Sequence, residues 1–200
     1  MQAEPPQTDR MIDLALSLGA TAAEIVPAES LVVEERFAAL CGEPHRCPSY
    51  GLAPGCPPHA LPPSLFREQL TYYHHILVFK IDVPAADLLG GKRVPVARNI
   101  HRIAAGLEQT ARALGFSRAR GLAAGSCKEL FCGEEEVCAV LHWRQPCPHA
   151  DRARPSLSAV GVDFSVLAAL AGWEFGAIDP NRADSEEPAM GLMAGLVLLG

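Results

Sequence analysis

The sequence has no excess of basic residues. Its 17 Lys and Arg residues are outnumbered by 23 Asp and Glu, so the formal net charge is −6 and the isoelectric point is near 5.6. Proteins that bind nucleic acid or an anionic membrane surface through charge normally present a basic face. We therefore expect no nucleic acid and no membrane among the partners of this protein.

Long apolar runs are missing as well. The longest are Ala189–Gly200 and the region Phe164–Ala177, and both are shorter than the ~20 residues that a membrane-spanning helix needs. The segment Met1–Pro6 has neither the basic nor the apolar part of an export signal. These absences predict a soluble protein of the cytoplasm.

Several familiar active-site motifs are also absent. The sequence contains no Gly-x-Gly-x-x-Gly, no Gly-x-Ser-x-Gly and no His-Glu-x-x-His. The segment Gly90–Arg93 has the glycines and the lysine of a phosphate-binding loop but not the rest of that motif, so we interpret it as a solvated turn. A dinucleotide-binding fold is therefore not indicated.

Apolar strands alternate with amphipathic helices along the chain. With 49% hydrophobic and 20% charged residues, the composition is that of a globular protein. The clearest helix is Val96–Leu114, whose apolar residues recur with the helical period, and the clearest buried strand is His75–Asp82. This alternation predicts an α/β fold: a single domain over residues 1–200, with a small mixed sheet flanked by helices. Two cysteine-rich loops, at 41–63 and 125–155, are expected to join these elements.

The remaining elements are assigned from turn and capping residues. The pattern predicts helices at Arg10–Leu18, Pro63–Tyr73 and Ser156–Ala171, strands at Ala23–Val26, Leu31–Glu34, Ala119–Ala124 and Leu192–Leu199, and a polar loop at Asp179–Pro188. Ser156 is expected to cap the last of these helices.

Seven cysteines are the most unusual feature of the composition. They are Cys41, Cys47, Cys56, Cys127, Cys132, Cys138 and Cys147. An odd number excludes complete internal pairing, and a chain without an export signal is expected in a reducing compartment. There, clustered cysteines bind metal or carry out redox chemistry more often than they form disulfides. All seven are therefore candidate ligands of a metal or an iron–sulfur cofactor.

The spacing of the cysteines indicates two similar half-sites. Three cysteines that begin at Cys41 are separated by five and then eight residues, and three that begin at Cys132 repeat this spacing. Each triplet starts with Cys-Gly-Glu, and each ends with Cys-Pro shortly before a His-Ala pair, at His59 and at His149. The shared flanks favour a degenerate internal repeat over coincidence.

The chemistry of thiolates narrows the choice of metal. Thiolates are soft ligands that suit zinc, copper(I) and iron–sulfur clusters. Structural zinc sites normally use close cysteine pairs, and only Cys127 and Cys132 are spaced in that way. The wider gaps favour a larger cofactor, and a cysteine followed by proline also ends ferredoxin cluster motifs. We expect an iron–sulfur cluster of the [4Fe-4S] type, with zinc as the alternative.

Seven ligands divide as four plus three. The four cysteines from Cys127 onward could complete one four-iron cluster, whereas the three from Cys41 onward would leave one iron of a second cluster without a cysteine. That iron could take His59, an exogenous ligand or a substrate, because a catalytic metal keeps an open position. In a one-centre alternative, the cysteines of one loop are small buried apolar side chains.

Histidines and an arginine add to the candidate site. His59 and His149 each follow the last cysteine of a half-site, so both are candidate ligands or hydrogen-bond donors to cluster sulfur. His45 and His142 lie inside the two loops as spare candidates. Arg154 is interpreted in two ways, as a residue that sets the entry to the next helix or as a cation that faces a cluster or an anionic substrate.

Several of these motifs together carry a family resemblance. They are Cys47-Pro48-Ser49-Tyr50-Gly51, Cys56-Pro57-Pro58, Gly125-Ser126-Cys127, Cys147-Pro148, Arg154-Pro155-Ser156 and Gly161-Val162-Asp163. Over most of its length the sequence resembles the prokaryotic predicted metal-binding proteins of domain-of-unknown-function family 2284. The resemblance implies a cysteine-ligated metal centre, iron–sulfur in type, in a cytoplasmic protein. It does not supply a reaction.

Three functions are consistent with these features. The first is an iron–sulfur protein with one or two clusters that acts in electron transfer or as a redox accessory, with a redox protein as its partner. The second is an enzyme whose three-cysteine cluster binds a small-molecule substrate at its open iron. The third is a zinc-stabilised interaction domain.

Overall fold

A four-stranded sheet lies at the centre of the structure, a computed structural model that describes residues 5–44, 46–176 and 189–200. The strands are β1 (Ala22–Pro27), β2 (His75–Pro84), β3 (Arg120–Leu122) and β4 (Met190–Leu199). Their order in the sheet is β1-β2-β4-β3, and every neighbouring pair is antiparallel. The two central strands pair over their full length, from His75 opposite Leu199 to Pro84 opposite Met190.

Helices cover the sheet and flank the cysteines. They are α1 (Pro5–Ser17), α2 (Glu35–Ala39), α3 (Pro63–Leu70), α4 (Ala85–Leu89), α5 (Arg93–Ala113), α6 (Cys127–Phe131), α7 (Ala139–Trp143) and α8 (Phe164–Leu170), with short 3-10 segments at Ala28–Ser30 and Ser158–Val160. The longest is α5, with 21 residues. Among the described residues, no helix combines the length and the apolar character needed to cross a membrane.

Apolar side chains are buried on both faces of the sheet. On one face, Leu77 and Phe79 of β2 pack with α1 and α5. On the other face, Ile76 and Val78 pack with side chains of α3 and α8. Alternate residues of a strand point to opposite faces. A strand that is covered on both sides is therefore apolar almost throughout, as the sequence of β2 is.

The predicted α/β class is confirmed, but the sheet is antiparallel and not mixed. Continuously apolar strands are typical of parallel sheets, because helices cover both faces of such sheets. Here helices cover both faces of an antiparallel sheet, so the same apolar pattern arises without parallel strands. Within the described residues, parallel pairing is limited to an isolated bridge between Ala123 and Ser156.

The predicted helix Ser156–Ala171 is divided at Gly161. This glycine has a positive φ of 82°, and a Cβ atom on it would lie 2.6 Å from the carbonyl oxygen of Glu34. The chain must turn there because only glycine accepts this conformation and this close approach without strain. Asp163 caps α8 by accepting hydrogen bonds from backbone N–H groups of its first turn. The cap predicted at Ser156 is therefore wrong.

The predicted strand Leu31–Glu34 is reduced to one bridge. Val33 pairs with Val162 in isolation, and no ladder forms on either side of it. Two further predictions, the polar loop Asp179–Pro188 and the spare ligand His45, lie outside the described residues.

Candidate metal centre

The three cysteines of the first loop line one cavity, which we call the three-cysteine cavity. Cys41, Cys47 and Cys56 share its wall, and the volume is about 200 Å³. An ion pair between Arg93 and Glu129 lies at the same cavity. The rest of the lining is rich in hydroxyl groups, which come from Ser49, Tyr50, Ser126, Ser156 and Ser158.

The other four cysteines line a second cavity of about 330 Å³, the four-cysteine cavity. They are Cys127, Cys132, Cys138 and Cys147. Two short helices position three of them. Cys127 is the first residue of α6, Cys132 directly follows α6, and Cys138 directly precedes α7. Aromatic side chains of Phe131, Trp143 and His149 also contribute to the wall. The structure thus brings the cysteines together in two groups, of three and of four.

The two cavities share a wall that is about one residue thick. Ser126 lines the three-cysteine cavity, and the next residue, Cys127, lines the four-cysteine cavity. The first loop is divided in the same way, since Cys56 faces one cavity and Pro54 faces the other. The Cys56 thiol donates a hydrogen bond to the Ser126 hydroxyl across 3.3 Å, which ties the two loops together at this wall.

Burial favours the protonated form of four of the seven thiols in the metal-free fold. It raises the pKa of Cys127 to about 12, and it also raises the pKa of Cys41, Cys56 and Cys132. Neighbouring cysteines add to the effect, because one thiolate disfavours another. The nearby Lys128 ammonium opposes it at Cys132. Thiolate is the form that binds metal, so a bound cation would supply the positive charge that these clustered sulfur atoms lack.

His149 has a buried nitrogen without a partner. Its Nδ1 atom is out of contact with solvent, and no described residue gives it a hydrogen bond. An unsatisfied buried group of this kind costs about 1–3 kcal/mol. The ring packs on Phe131 at 5.8 Å between centroids and lines the four-cysteine cavity. His59 differs, since it is exposed and lies outside the lining of the three-cysteine cavity.

Lys128 fixes the turn that follows α6. Its ammonium group donates to the backbone carbonyls of Cys132, at 2.5 Å, and of Glu135. The residue is buried, so these charge-assisted hydrogen bonds are shielded from water. Arg98 of α5 holds the same short helix by donating from Nε to the carbonyl of Leu130 at 2.6 Å. Sequence reasoning did not single out either cation.

His101 of α5 closes the second cysteine loop. It is fully buried, and its Nε2 lies 3.1 Å from the carbonyl oxygen of Ala124, just before the loop begins. Its Nδ1 accepts a hydrogen bond of 3.0 Å from the backbone N–H of Arg154, where the loop returns. A neutral ring with its proton on Nε2 satisfies both contacts. His101 was not among the residues singled out from the sequence.

The burial of His101 predicts a loss of stability in mild acid. Burial, together with the charge of Arg154, lowers the pKa of His101 to about 4, whereas in the unfolded chain it is near 6.5. Between these values the unfolded chain takes up a proton that the folded state does not, so stability falls as the pH falls. We expect the metal-free protein to lose about 2–3 kcal/mol between pH 7 and pH 4.5 through this group.

Urea unfolding of wild type and His101→Gln at both pH values isolates this contribution. Glutamine retains a hydrogen-bond donor and an acceptor but does not titrate, so carboxylates that titrate in the same range cancel in the comparison. A pH dependence equal in the two proteins would contradict the assignment.

A buried ion pair joins the end of the second cysteine loop to α5. Arg154 Nε donates to Glu108 Oε2 at 2.8 Å, and less than a tenth of either side chain is exposed. The same carboxylate accepts the backbone N–H of Gly121 at 2.6 Å and pairs with Arg112 at 3.0 Å. The Arg154 guanidinium also donates to carbonyls of its own loop, including that of Ala150 at 3.0 Å. Its charge is therefore balanced within the fold, on the side of α5.

The two cysteine loops touch at a glycine. A Cβ atom added to Gly55 would lie 2.8 Å from Cα of Pro155, which is closer than real Cβ contacts come. The backbone N–H of Ser156 also donates to the Gly55 carbonyl at 3.3 Å. This backbone-to-backbone approach holds the first loop against the end of the second.

We expect Gly55→Ala to separate the loops. The added methyl group meets backbone rather than a flexible side chain, so the loops must shift, at a cost of about 1–3 kcal/mol in unfolding free energy. Metal bound in the three-cysteine cavity should be lost along with this stability. Urea unfolding and metal content per chain measure both effects. Gly91→Ala is the matched control, since nothing lies within 4 Å of its added Cβ. Equal stability of both variants would show that the contact is unimportant.

The cysteines are not gathered as a single-ion site. Within residues 5–44, 46–176 and 189–200, no three His, Cys, Asp or Glu side chains are close enough together to hold one metal ion. Instead, all seven cysteines are free thiols distributed around two cavities.

The fold and the site define a small α/β protein with a seven-cysteine candidate metal centre on the loops of an antiparallel sheet. The chain belongs to the predicted metal-binding protein family DUF2284, whose family model matches residues 24–199. The match spans most of β1, all of β2, β3 and β4, and both cysteine loops. Neither a curated protein nor a solved structure matches the chain.

Proposed function

We propose that this protein binds two [4Fe-4S] clusters and acts in electron transfer, with another redox protein as its partner, in a reducing cytoplasm. The observation that carries the proposal is the division of seven free cysteines between two adjoining cavities, four in one and three in the other. Four thiolates are the ligand set of a complete four-iron cluster. Three thiolates leave one iron open to another ligand.

An iron–sulfur cofactor fits the cavities better than single zinc ions do. Zinc binds sulfur at about 2.3 Å, so the sulfurs of a tetrahedral site lie only about 4 Å apart. Among the described residues, no three His, Cys, Asp or Glu side chains form a group that could hold such an ion. A four-iron cluster has each cysteine on a separate iron, so its ligands surround a larger object. The four-cysteine cavity, at about 330 Å³, has room for such an object.

Residues around the cavities would support the cofactor. A cluster supplies reversible one-electron transfer, at a potential set by burial and by hydrogen bonds to its sulfur atoms. The unpartnered Nδ1 of His149 is placed to donate such a hydrogen bond or to act as a ligand. Phe131 shields the same cavity from water, while Lys128 holds Cys132 in place through its carbonyl.

The lining of the three-cysteine cavity favours a second candidate function. Five hydroxyl-bearing residues and Arg93 surround only three cysteines. A polar lining of this kind suits a small polar substrate that binds an open iron, because hydroxyl groups donate and accept hydrogen bonds in fixed directions. In this second proposal the protein is an enzyme, and the four-cysteine centre supplies its electrons.

The test is the analysis of iron, acid-labile sulfide and zinc per chain in protein purified without oxygen, together with the visible spectrum. Equal iron and sulfide with broad visible absorbance supports the proposal, and about eight irons per chain would indicate two clusters. Zinc without sulfide would contradict it and favour a zinc-stabilised interaction domain. Added imidazole should alter the spectrum of an open iron, which separates the enzyme from a protein that only transfers electrons.

A further inference from the structure

The wall between the two cavities is unusually thin and is built from both loops. Two consecutive residues, Ser126 and Cys127, face opposite cavities. Two residues from the first loop, Pro54 and Cys56, are divided in the same manner. Because consecutive Cα atoms are about 3.8 Å apart, one peptide unit separates the linings of the two sites at this point.

Covalent bonds and one hydrogen bond connect the cysteines of the two sites. Cys56 Sγ contacts Ser126 Oγ at 3.3 Å, and the peptide between Ser126 and Cys127 completes the connection. Next to this wall, Gly55 of the first loop packs directly on Pro155 of the second.

We infer that the two metal centres exchange electrons directly through the wall formed by Cys56, Ser126 and Cys127. This rests on the proposed function, since it requires a cluster in each cavity. In each transfer the reduced centre of one cavity gives up one electron and is oxidised, and the centre of the other cavity accepts it and is reduced. A one-electron donor protein restores the first centre. Electron tunnelling weakens steeply with distance, and a short path through bonds favours it over a path through solvent.

The arrangement makes the pair of centres a single two-electron unit. Each centre stores one electron, so a substrate or partner at one cavity can draw on both. The hydroxyl-lined three-cysteine cavity is the end suited to a small molecule, and the more apolar four-cysteine cavity is the end suited to electron entry.

Electron paramagnetic resonance of the reduced protein tests the coupling. Two variants each retain one centre: Cys41→Ala with Cys47→Ala leaves the four-cysteine site, and Cys138→Ala with Cys147→Ala leaves the three-cysteine site. All four substitutions leave Cys56, Ser126 and Cys127 unchanged. The protein is loaded anaerobically with iron and sulfide, and dithionite is the reductant. We expect the spectrum of the fully reduced wild type to show extra splitting and faster relaxation that the sum of the two variant spectra lacks.

A wild-type spectrum equal to that sum, in protein that holds iron and sulfide for two clusters, would overturn the inference and leave the proposed function intact. Iron and sulfide for fewer than two clusters would contradict the proposed function instead. Stepwise reduction of the wild type gives a second measurement that does not depend on the folding of the variants. The extra splitting should appear only after the first electron per chain has been taken up. A line shape that stays constant throughout the reduction would also count against coupling.

Discussion

Replacing Cys147 with serine is expected to remove about half of the iron and sulfide that the protein binds. Cys147 lines the four-cysteine cavity, where each of the four thiols is expected to hold a separate iron. Serine offers a hard oxygen in place of a soft thiolate, so the cluster loses a ligand that suits iron–sulfur chemistry. Anaerobic iron and sulfide analysis with the visible spectrum measures the loss.

Two further variants make this result specific. Cys56→Ser, made on its own, should remove the other half of the iron and sulfide, because Cys56 belongs to the three-cysteine cavity. His142→Ala should retain the full iron content, since His142 is an exposed residue of the same loop that lies outside the lining of the four-cysteine cavity. Full iron in both cysteine variants would contradict the two-centre proposal. Loss of all iron from either one would indicate that the centres do not form independently.

Removing Arg154 should destabilise the protein by about 3–5 kcal/mol, because it leaves the buried carboxylate of Glu108 without its buried partner. The Arg154–Glu108 pair lies at 2.8 Å with little exposure of either side chain. The expected change in Arg154→Ala is read from urea unfolding of the metal-free protein at neutral pH. Since the guanidinium also binds loop carbonyls, metal retention in the four-cysteine cavity should fall as well.

Arg112→Ala is the matched control for this experiment. Arg112 pairs with the same Glu108 carboxylate at 3.0 Å, but about half of its side chain is exposed. Exposed ion pairs contribute about 0–1 kcal/mol, so this variant should remain close to wild type in stability. If both arginine variants lose the same free energy, burial is not what gives the Arg154 pair its importance.

The main elements of the fold could be predicted because their signals are local. The strand expected at His75–Asp82 is β2, His75–Pro84, and the helix expected at Val96–Leu114 is α5, Arg93–Ala113. Strong periodicity and a continuous apolar run identify such elements within a single window of sequence. The direction of strand pairing is set by contacts that are distant in sequence. For that reason the antiparallel sheet was not foreseen.

The cysteine spacing gave a useful account of the candidate site. The two triplets with the same spacing line separate cavities, and Cys127 joins the second. The thin shared wall was not predictable, because it depends on the contact between the loops at Gly55 and Pro155. The role of the seven cysteines as metal ligands stays a prediction.

The supporting residues of α5 were missed for a physical reason. His101 and Glu108 lie seven residues apart, which places them on the same face of a helix, next to its apolar stripe. In the sequence alone, a histidine and a glutamate at this spacing resemble the solvated side of an amphipathic helix. Their partners, Ala124 and Arg154, belong to a loop far along the chain. Two polar residues at this spacing beside a long apolar stripe were the available signal.

The two contacts of His101 with the ends of the second cysteine loop affect how the protein takes up metal. His101 binds the chain at both Ala124 and Arg154, so the ends of the intervening loop are already joined without metal. The entropy of closing this loop is therefore lost during folding of the polypeptide and does not oppose metal uptake. Small zinc domains differ, since they fold only when metal arrives. The helices and sheet of this protein should instead be assembled before metal is bound, and successive cycles of chelation and reconstitution should leave them in place.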